Sequence, residues 1–155
     1  FGGFCGDAAR TFPVGKVSAE AMKLIEVTEQ CFYEGIKHAV PGNRIVDISA
    51  AIQKYAEQHG FSVVRDYVGH GIGREMWEPP QVPNYVTRER GPRLEPGMTI
   101  AVEPMINQGT YEVRLLSNKW TVVTADGKLS AHYENTVAIT EGEPLILTKL
   151  RGEGF

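Results

Sequence analysis

Three carboxylates, Asp7, Glu103 and Glu134, lie inside segments patterned as β-strands, and this placement constrains the fold more than anything else in the chain. A carboxylate facing a core costs several kcal/mol unless it is paired or metal-bound. Each one alone could sit on a solvated strand face. Together with an imidazole flanked by glycines, His70 in Gly69-His70-Gly71, they point to one shared site. The flanking glycines are expected to let the backbone turn tightly and a ligand approach without a Cβ in the way. One imidazole among several carboxylates suits Mn, Fe, Co or Zn better than Ca or Mg, which points to a metal-dependent hydrolase. Two ions about 3.5 to 4 Å apart would polarise a carbonyl, and bridging carboxylates would offset their charge.

The 155 residues, 42% hydrophobic and 23% charged, fit a single α+β domain spanning residues 1–155. A net charge of −3 and the absence of a long like-charged run give no reason to expect a nucleic-acid partner or an anionic membrane surface. No stretch approaches the roughly 20 apolar residues of a membrane span. Cys5 and Cys31 are too few and too far apart for a disulfide framework, so both read as reduced thiols of a cytoplasmic protein. The chain begins at Phe1 without an initiating methionine, so it reads as a fragment.

Gly2-Gly3 reads as a hairpin tip and residues 4–14 as the strand leaving it. Ser18 caps a helix from Ala19, with apolar positions Met22, Ile25, Phe32 and Ile36, that Pro41-Gly42 stops. A second helix after Asp47 carries Ile48, Ala51, Ile52, Tyr55 and Ala56 on one face and ends at Gly60. Residues 61–64 read as a strand leading into a histidine turn, and residues 78–96 as a Pro-rich loop. Further strands are expected at 98–103, 111–116, 120–124, 131–139 and 145–150, with a turn at Asp126-Gly127. This order predicts helices covering one face of a curved antiparallel sheet. His38 and His59 lie near helix C-termini and are not expected to be ligands. His132 lies two residues before Glu134, so on a strand both face the same way, which suggests a supporting place beside the metals.

The runs Tyr67-Val68-Gly69-His70-Gly71-Ile72-Gly73, Pro80-Gln81-Val82-Pro83-Asn84-Tyr85, Leu94-Glu95-Pro96-Gly97-Met98, Glu103-Pro104-Met105 and Tyr133-Glu134 resemble type I methionine aminopeptidases, metalloenzymes of the pita-bread fold. The spacings, 33 positions from His70 to Glu103 and 31 on to Glu134, leave no room for the helical insertion of the type II enzymes. The resemblance covers essentially the whole chain, as the C-terminal portion of such an enzyme, incomplete on its N-terminal side. It implies removal of the initiator methionine from nascent proteins by water activated at two metal ions. By that resemblance Asp7 and Glu134 bridge the ions, His70 and Glu103 complete one ion site, and Glu103 passes the proton. Substrate would meet His70, Met76, Trp77 and Trp120, the last resembling the family's aromatic in the methionine pocket.

Two departures bear on activity. The family's earlier aspartate, eleven positions before the one matching Asp7, would fall ahead of Phe1, so at most one tightly bound ion is expected. Trp77 stands where the family has a histidine thought to hydrogen-bond the scissile peptide, and an indole has one N–H donor and no acceptor. Both lower the expected activity. They keep open a non-catalytic pita-bread module that binds peptides or proteins. An X-Pro-cleaving peptidase of the same fold is a further alternative, which residues 78–85 argue against. Expected partners are the N-terminal peptides of nascent proteins, and either a second chain or the upstream part of the same protein meeting an exposed strand edge.

Overall fold

The computed structural model describes residues 1–149. In chain order its elements are β1 (Ala8–Ala9), α1 (Ala19–Ile36), α2 (Ile45–Gln58), β2 (Ser62–Val63), β3 (Gly69–Gly71), β4 (Glu78–Val82), β5 (Thr99–Val102), β6 (Met105–Asn107), β7 (Val113–Leu115), β8 (Val122–Thr124), β9 (Ser130–His132), β10 (Glu134–Ala138) and β11 (Leu145–Ile146). Antiparallel pairing builds a six-stranded sheet in the order β1-β10-β5-β3-β4, with β11 also on β10. A three-stranded sheet β2-β6-β9 and a β7-β8 ribbon complete it. The expected α+β arrangement of helices against antiparallel sheet is what forms.

The Ser18 hydroxyl accepts from the Ala21 N–H at 3.1 Å, so α1 starts where the sequence places it. Its buried stripe is Leu24, Val27, Thr28, Cys31, Phe32, Gly35 and Ile36, rotated from the expected one so that Met22 and Ile25 lie only at its margin. The helix ends at Ile36, before Pro41, because the chain turns at His38 and Ala39 with bonds back to Gly35 and Ile36. Helix α2 begins three residues earlier than expected: Asp47 lies inside its first turn, and its carboxylate accepts from the Arg44 N–H at 2.7 Å. Both helices press onto a core holding Phe32, Ile48, Ile52, Ile100 and Ile106. Cys31 is fully buried there, and burial, with Glu34 adding to it, pushes its thiol up to about 12, so it behaves as a small apolar side chain.

Four strand expectations are corrected. The strand at residues 4–14 shrinks to Ala8–Ala9, because its neighbours are tied by side chains instead of a ladder: Asp7 N–H to the Thr136 hydroxyl at 2.8 Å, and the Thr11 hydroxyl to the His132 carbonyl at 2.9 Å. The Pro-rich stretch 78–96 contains β4, an edge strand of the main sheet, and its Val82, Asn84 and Leu94 are buried. Residues 131–139 form two strands in two sheets, parted at Tyr133, whose N–H bonds to the Pro104 carbonyl at 3.2 Å. The strand expected at 145–150 is present as β11 at Leu145–Ile146, and position 150 lies outside the described residues.

His70 is on a strand, not in a turn. Neither flanking glycine has positive φ, and the register shifts between His70 and Gly71. They are glycines because β3 is squeezed between its neighbours: a Cβ on Gly69 would collide with the Ala101 carbonyl oxygen, and one on Gly71 with the Pro79 carbonyl oxygen. Both obstacles are backbone and cannot swing aside. Gly69→Ala is therefore expected to cost about 3 kcal/mol, the upper end of ordinary overpacking, read as a lower urea midpoint. An unchanged midpoint would show that β3 can move away from β5.

Candidate metal centre

Neighbouring strands of the main sheet each deliver one candidate ligand to the same place. Asp7 precedes β1, Glu134 opens β10, Glu103 follows β5 and His70 is the middle residue of β3. The pairings Ala9↔Glu134, Asn135↔Val102 and His70↔Ala101 bring these ends level. His70 Nε2 lies 3.9 Å from Asp7 Oδ2 and 3.6 Å from Glu103 Oε1. Its Nδ1 faces the Gly71 carbonyl oxygen at 2.8 Å, which leaves Nε2 for the cluster. The buried Asn84 amide donates to the Glu103 carbonyl at 3.0 Å and fixes the backbone that carries this carboxylate.

His132 also reaches the cluster, although it belongs to β9 of the other sheet. Its Nε2 lies 3.6 Å from Glu103 Oε2 and 3.9 Å from Glu134 Oε2. Among the described residues two groups have ligand atoms within 4.8 Å of one another: Asp7, His70 and Glu134, and Glu103, His132 and Glu134. Sequence spacing put His132 on the right face but did not show that its nitrogen closes a second triad.

The electrostatics call for a cation. Glu134 is only 4% exposed, and among the described residues its Oε1 and the His132 Nε2 have no hydrogen-bond partner. Burial, reinforced by repulsion from Glu103 and Asp7 and opposed by Arg10, pushes the Glu134 carboxyl up to about 8. Uncompensated carboxylates gathered around buried lone pairs fit a divalent ion, and the mixed nitrogen and oxygen donors fit a transition ion.

Arg10 is a residue the sequence reading passed over. Its guanidinium donates to the Glu134 carbonyl at 2.5 Å and to Asn135 Oδ1 at 3.0 Å, and it lies 4.1 Å over the Tyr133 ring. It pins β1 to β10 beside the site. The available signal was an arginine three residues after Asp7 in a segment with no other charge.

A cleft of about 1190 Å³ opens beside the cluster, with His70 and Glu103 in its wall next to Tyr67, Trp77, Pro79, Met105 and Leu116. Trp77 stands edge-on to His70, ring centroids 6.5 Å apart, and is 77% exposed. The indole thus stands open at the cleft wall. Met76 is half-buried and outside the cleft lining. Trp120 lies at the tip of the β7-β8 ribbon, 87% exposed and outside the lining, in a turn held by Asn118 Oδ1, which accepts from the Trp120 and Thr121 N–H groups.

Residues 1–141 match the profile of Metallopeptidase family M24. The chain belongs to this family. This M24 chain is 60% identical over 146 residues to the methionine aminopeptidase of Clostridium acetobutylicum, a match covering 94% of the chain and 58% of that relative. A crystal structure of the methionine aminopeptidase of Thermotoga maritima superposes with a TM-score of 0.92 at 47% identity, covering 96% of this chain and 59% of that one. The prolidase of Pyrococcus furiosus superposes with a TM-score of 0.73 at 22% identity, covering 97% and 39%, which shows a shared fold alone. The pita-bread fold and the likeness to methionine aminopeptidases read from the motifs are thus confirmed. The chain spans about 60% of the length of the methionine aminopeptidases it matches.

Proposed function

We propose that this chain is the C-terminal portion of a methionine aminopeptidase catalytic domain, acting in the cytoplasm on the N-terminal methionine of nascent proteins. The observation that carries this reading is the convergence of Asp7, His70, Glu103 and Glu134 beside a largely apolar cleft, in a chain 60% identical to a methionine aminopeptidase. In it, Asp7, His70, Glu103 and Glu134 hold a divalent ion, of Co, Mn, Fe or Zn. Bound there, such an ion supplies Lewis acidity toward a carbonyl oxygen and toward water. The chain's own groups do the remainder. Glu103, a carboxylate at the cleft wall between two imidazoles, takes and returns the proton of the attacking water. His70 holds its free nitrogen toward the cluster. Tyr67, Val68, Met105 and Leu116 give the apolar wall that a methionine side chain needs.

The test is product analysis with the full-length protein and added metal. Release of methionine from Met-Ala-Ser without cleavage of an Ala-Pro peptide supports the reading. Cleavage of the Ala-Pro peptide instead would favour the X-Pro alternative, and intact peptides at full metal occupancy would favour a binding module.

An association partner follows from the edge of the main sheet. Among the described residues strand β1 has only β10 beside it, and Phe4, Phe12 and Val14 around it are exposed. Unpaired backbone next to apolar side chains invites another chain. The 155-residue chain is expected to show, by light scattering, a mass that rises with concentration. A constant monomer mass would mean that the edge is adequately solvated.

A further inference from the structure

We propose that Thr136 is a positioning residue for the metal centre: its hydroxyl takes the place of a strand neighbour and latches the backbone of Asp7, so that the Asp7 carboxylate meets the other ligands. This rests on reading Asp7, His70, Glu103 and Glu134 as holding an ion together, and it adds no ligand to them.

The ladder of β1 is too short to reach Asp7. Its pairs are Ala8↔Asn135 and Ala9↔Glu134, so the residue that carries the first carboxylate stands one step outside it. One hydroxyl fills that gap. Thr136 Oγ1 accepts from the Asp7 N–H at 2.8 Å and donates to the Asp7 carbonyl at 3.0 Å. A hydroxyl has one proton and two lone pairs, so it makes both bonds at once and serves both backbone groups of Asp7. Thr136 is itself 2% exposed and fixed within β10, where it pairs with Ala101 of β5. Thr148 backs the latch: its Oγ1 accepts from the Thr136 N–H at 3.0 Å and lies 3.2 Å from the Asp7 carbonyl oxygen and 3.0 Å from Asn135 Oδ1.

The same device recurs at the other end of β1. Thr11 Oγ1 accepts from the His132 N–H at 2.9 Å and donates to the His132 carbonyl at 2.9 Å. Each latch therefore closes on the backbone of a residue whose side chain enters the cluster. Asp7 depends on its latch more than the other ligands depend on theirs. Glu134 and His70 are strand residues, and Glu103 follows a four-residue strand with its carbonyl tied to Asn84, whereas Asp7 has only the two-residue β1 beside it. A ligand has to be held within about 0.5 Å of its productive place, and groups that orient ligands typically contribute about 10- to 100-fold in metal affinity.

The test is a Co²⁺ titration of the metal-free full-length protein by calorimetry, with the visible spectrum of the bound ion as a record of its ligand geometry. Thr136→Val keeps the shape of the side chain and loses the hydroxyl, so it is expected to weaken Co²⁺ about 10- to 100-fold and to alter the spectrum. Thr136→Ser keeps the hydroxyl and is expected to restore both. Thr28→Val removes another buried hydroxyl, bonded to the Leu24 carbonyl in α1, which supplies no ligand, and is expected to change neither. Should Thr136→Val fail to fold, hydrogen exchange in Zn²⁺-loaded wild type decides: the Asp7 amide is expected to be protected although it stands outside the ladder, and free exchange there would overturn the latch. Wild-type affinity and spectrum in Thr136→Val, no recovery in Thr136→Ser, or an equal loss in Thr28→Val would overturn the proposal and leave the metal-centre reading standing. No Co²⁺ bound by wild type would overturn both.

Discussion

Glu103→Gln is expected to lower the turnover of Met-Ala-type peptides by a factor of about 10² to 10⁴ in the full-length protein, the range that positioned acid–base groups contribute. The substitution keeps the side chain's volume and its place between His70 and His132 but removes the charge that accepts a proton. Glutamine can still offer an oxygen to a metal, so the loss should persist in kcat when metal occupancy, measured by elemental analysis, is matched to wild type. Equal kcat at matched occupancy would move the proton-transfer role to another residue, and the buried Glu134 would be the next candidate.

The metal-free chain should lose stability as pH rises from about 4.5 to about 8. Glu134 is held protonated in the fold up to about 8, chiefly by burial and then by Glu103 and Asp7, whereas in the unfolded chain it ionises near its ordinary value of 4.5. A raised folded value means that its contribution is fully present below the unfolded value and disappears as pH climbs through the folded one. At 1.36 kcal/mol per unit the loss is about 5 kcal/mol. Urea midpoints in chelator across this window should therefore fall, and Glu134→Gln should flatten the trend. Excess Mn²⁺ should reverse it, because a ligand binds its ion deprotonated. A flat profile in wild type would mean that water or relaxation already solvates this carboxylate.

The parts of this arrangement that were legible in the sequence are those where local chemistry suffices. Ser18 caps α1, the apolar stripe Ile48-Ile52-Ala56 marks α2, and Asp7, Glu103 and Glu134 stand out as carboxylates in strand-patterned segments, which the fold gathers around the glycine-flanked His70. What was not legible depended on neighbours. Pro79 and Pro80 read as loop, but on an edge strand a missing N–H need cost no ladder bond, so β4 tolerates them. The run 131–139 alternates as one strand does, and alternation cannot show that Tyr133 hands the chain from one sheet to another. Gly69 and Gly71 read as turn residues because glycine serves both positive φ and close packing, and only the positions of the Ala101 and Pro79 carbonyls decide between them. His132 was placed on the correct face, but its closeness to Glu103 arises from the pairing of β9 with β6.

The delivery of one ligand per strand has a consequence for how the chain holds its own beginning. Asp7 and Glu134 are 127 positions apart, and β1 is secured by a two-residue ladder and a few side-chain bonds. An ion gripping both carboxylates would act as a clasp across that long loop, where a cross-link restricts the open chain most. Chelation should then loosen the molecule selectively: amide exchange should quicken around residues 5–11 well before it changes in α1 or β5. The first segment to be lost would be the one that supplies a ligand, so metal release and the peeling of β1 would be a single opening event.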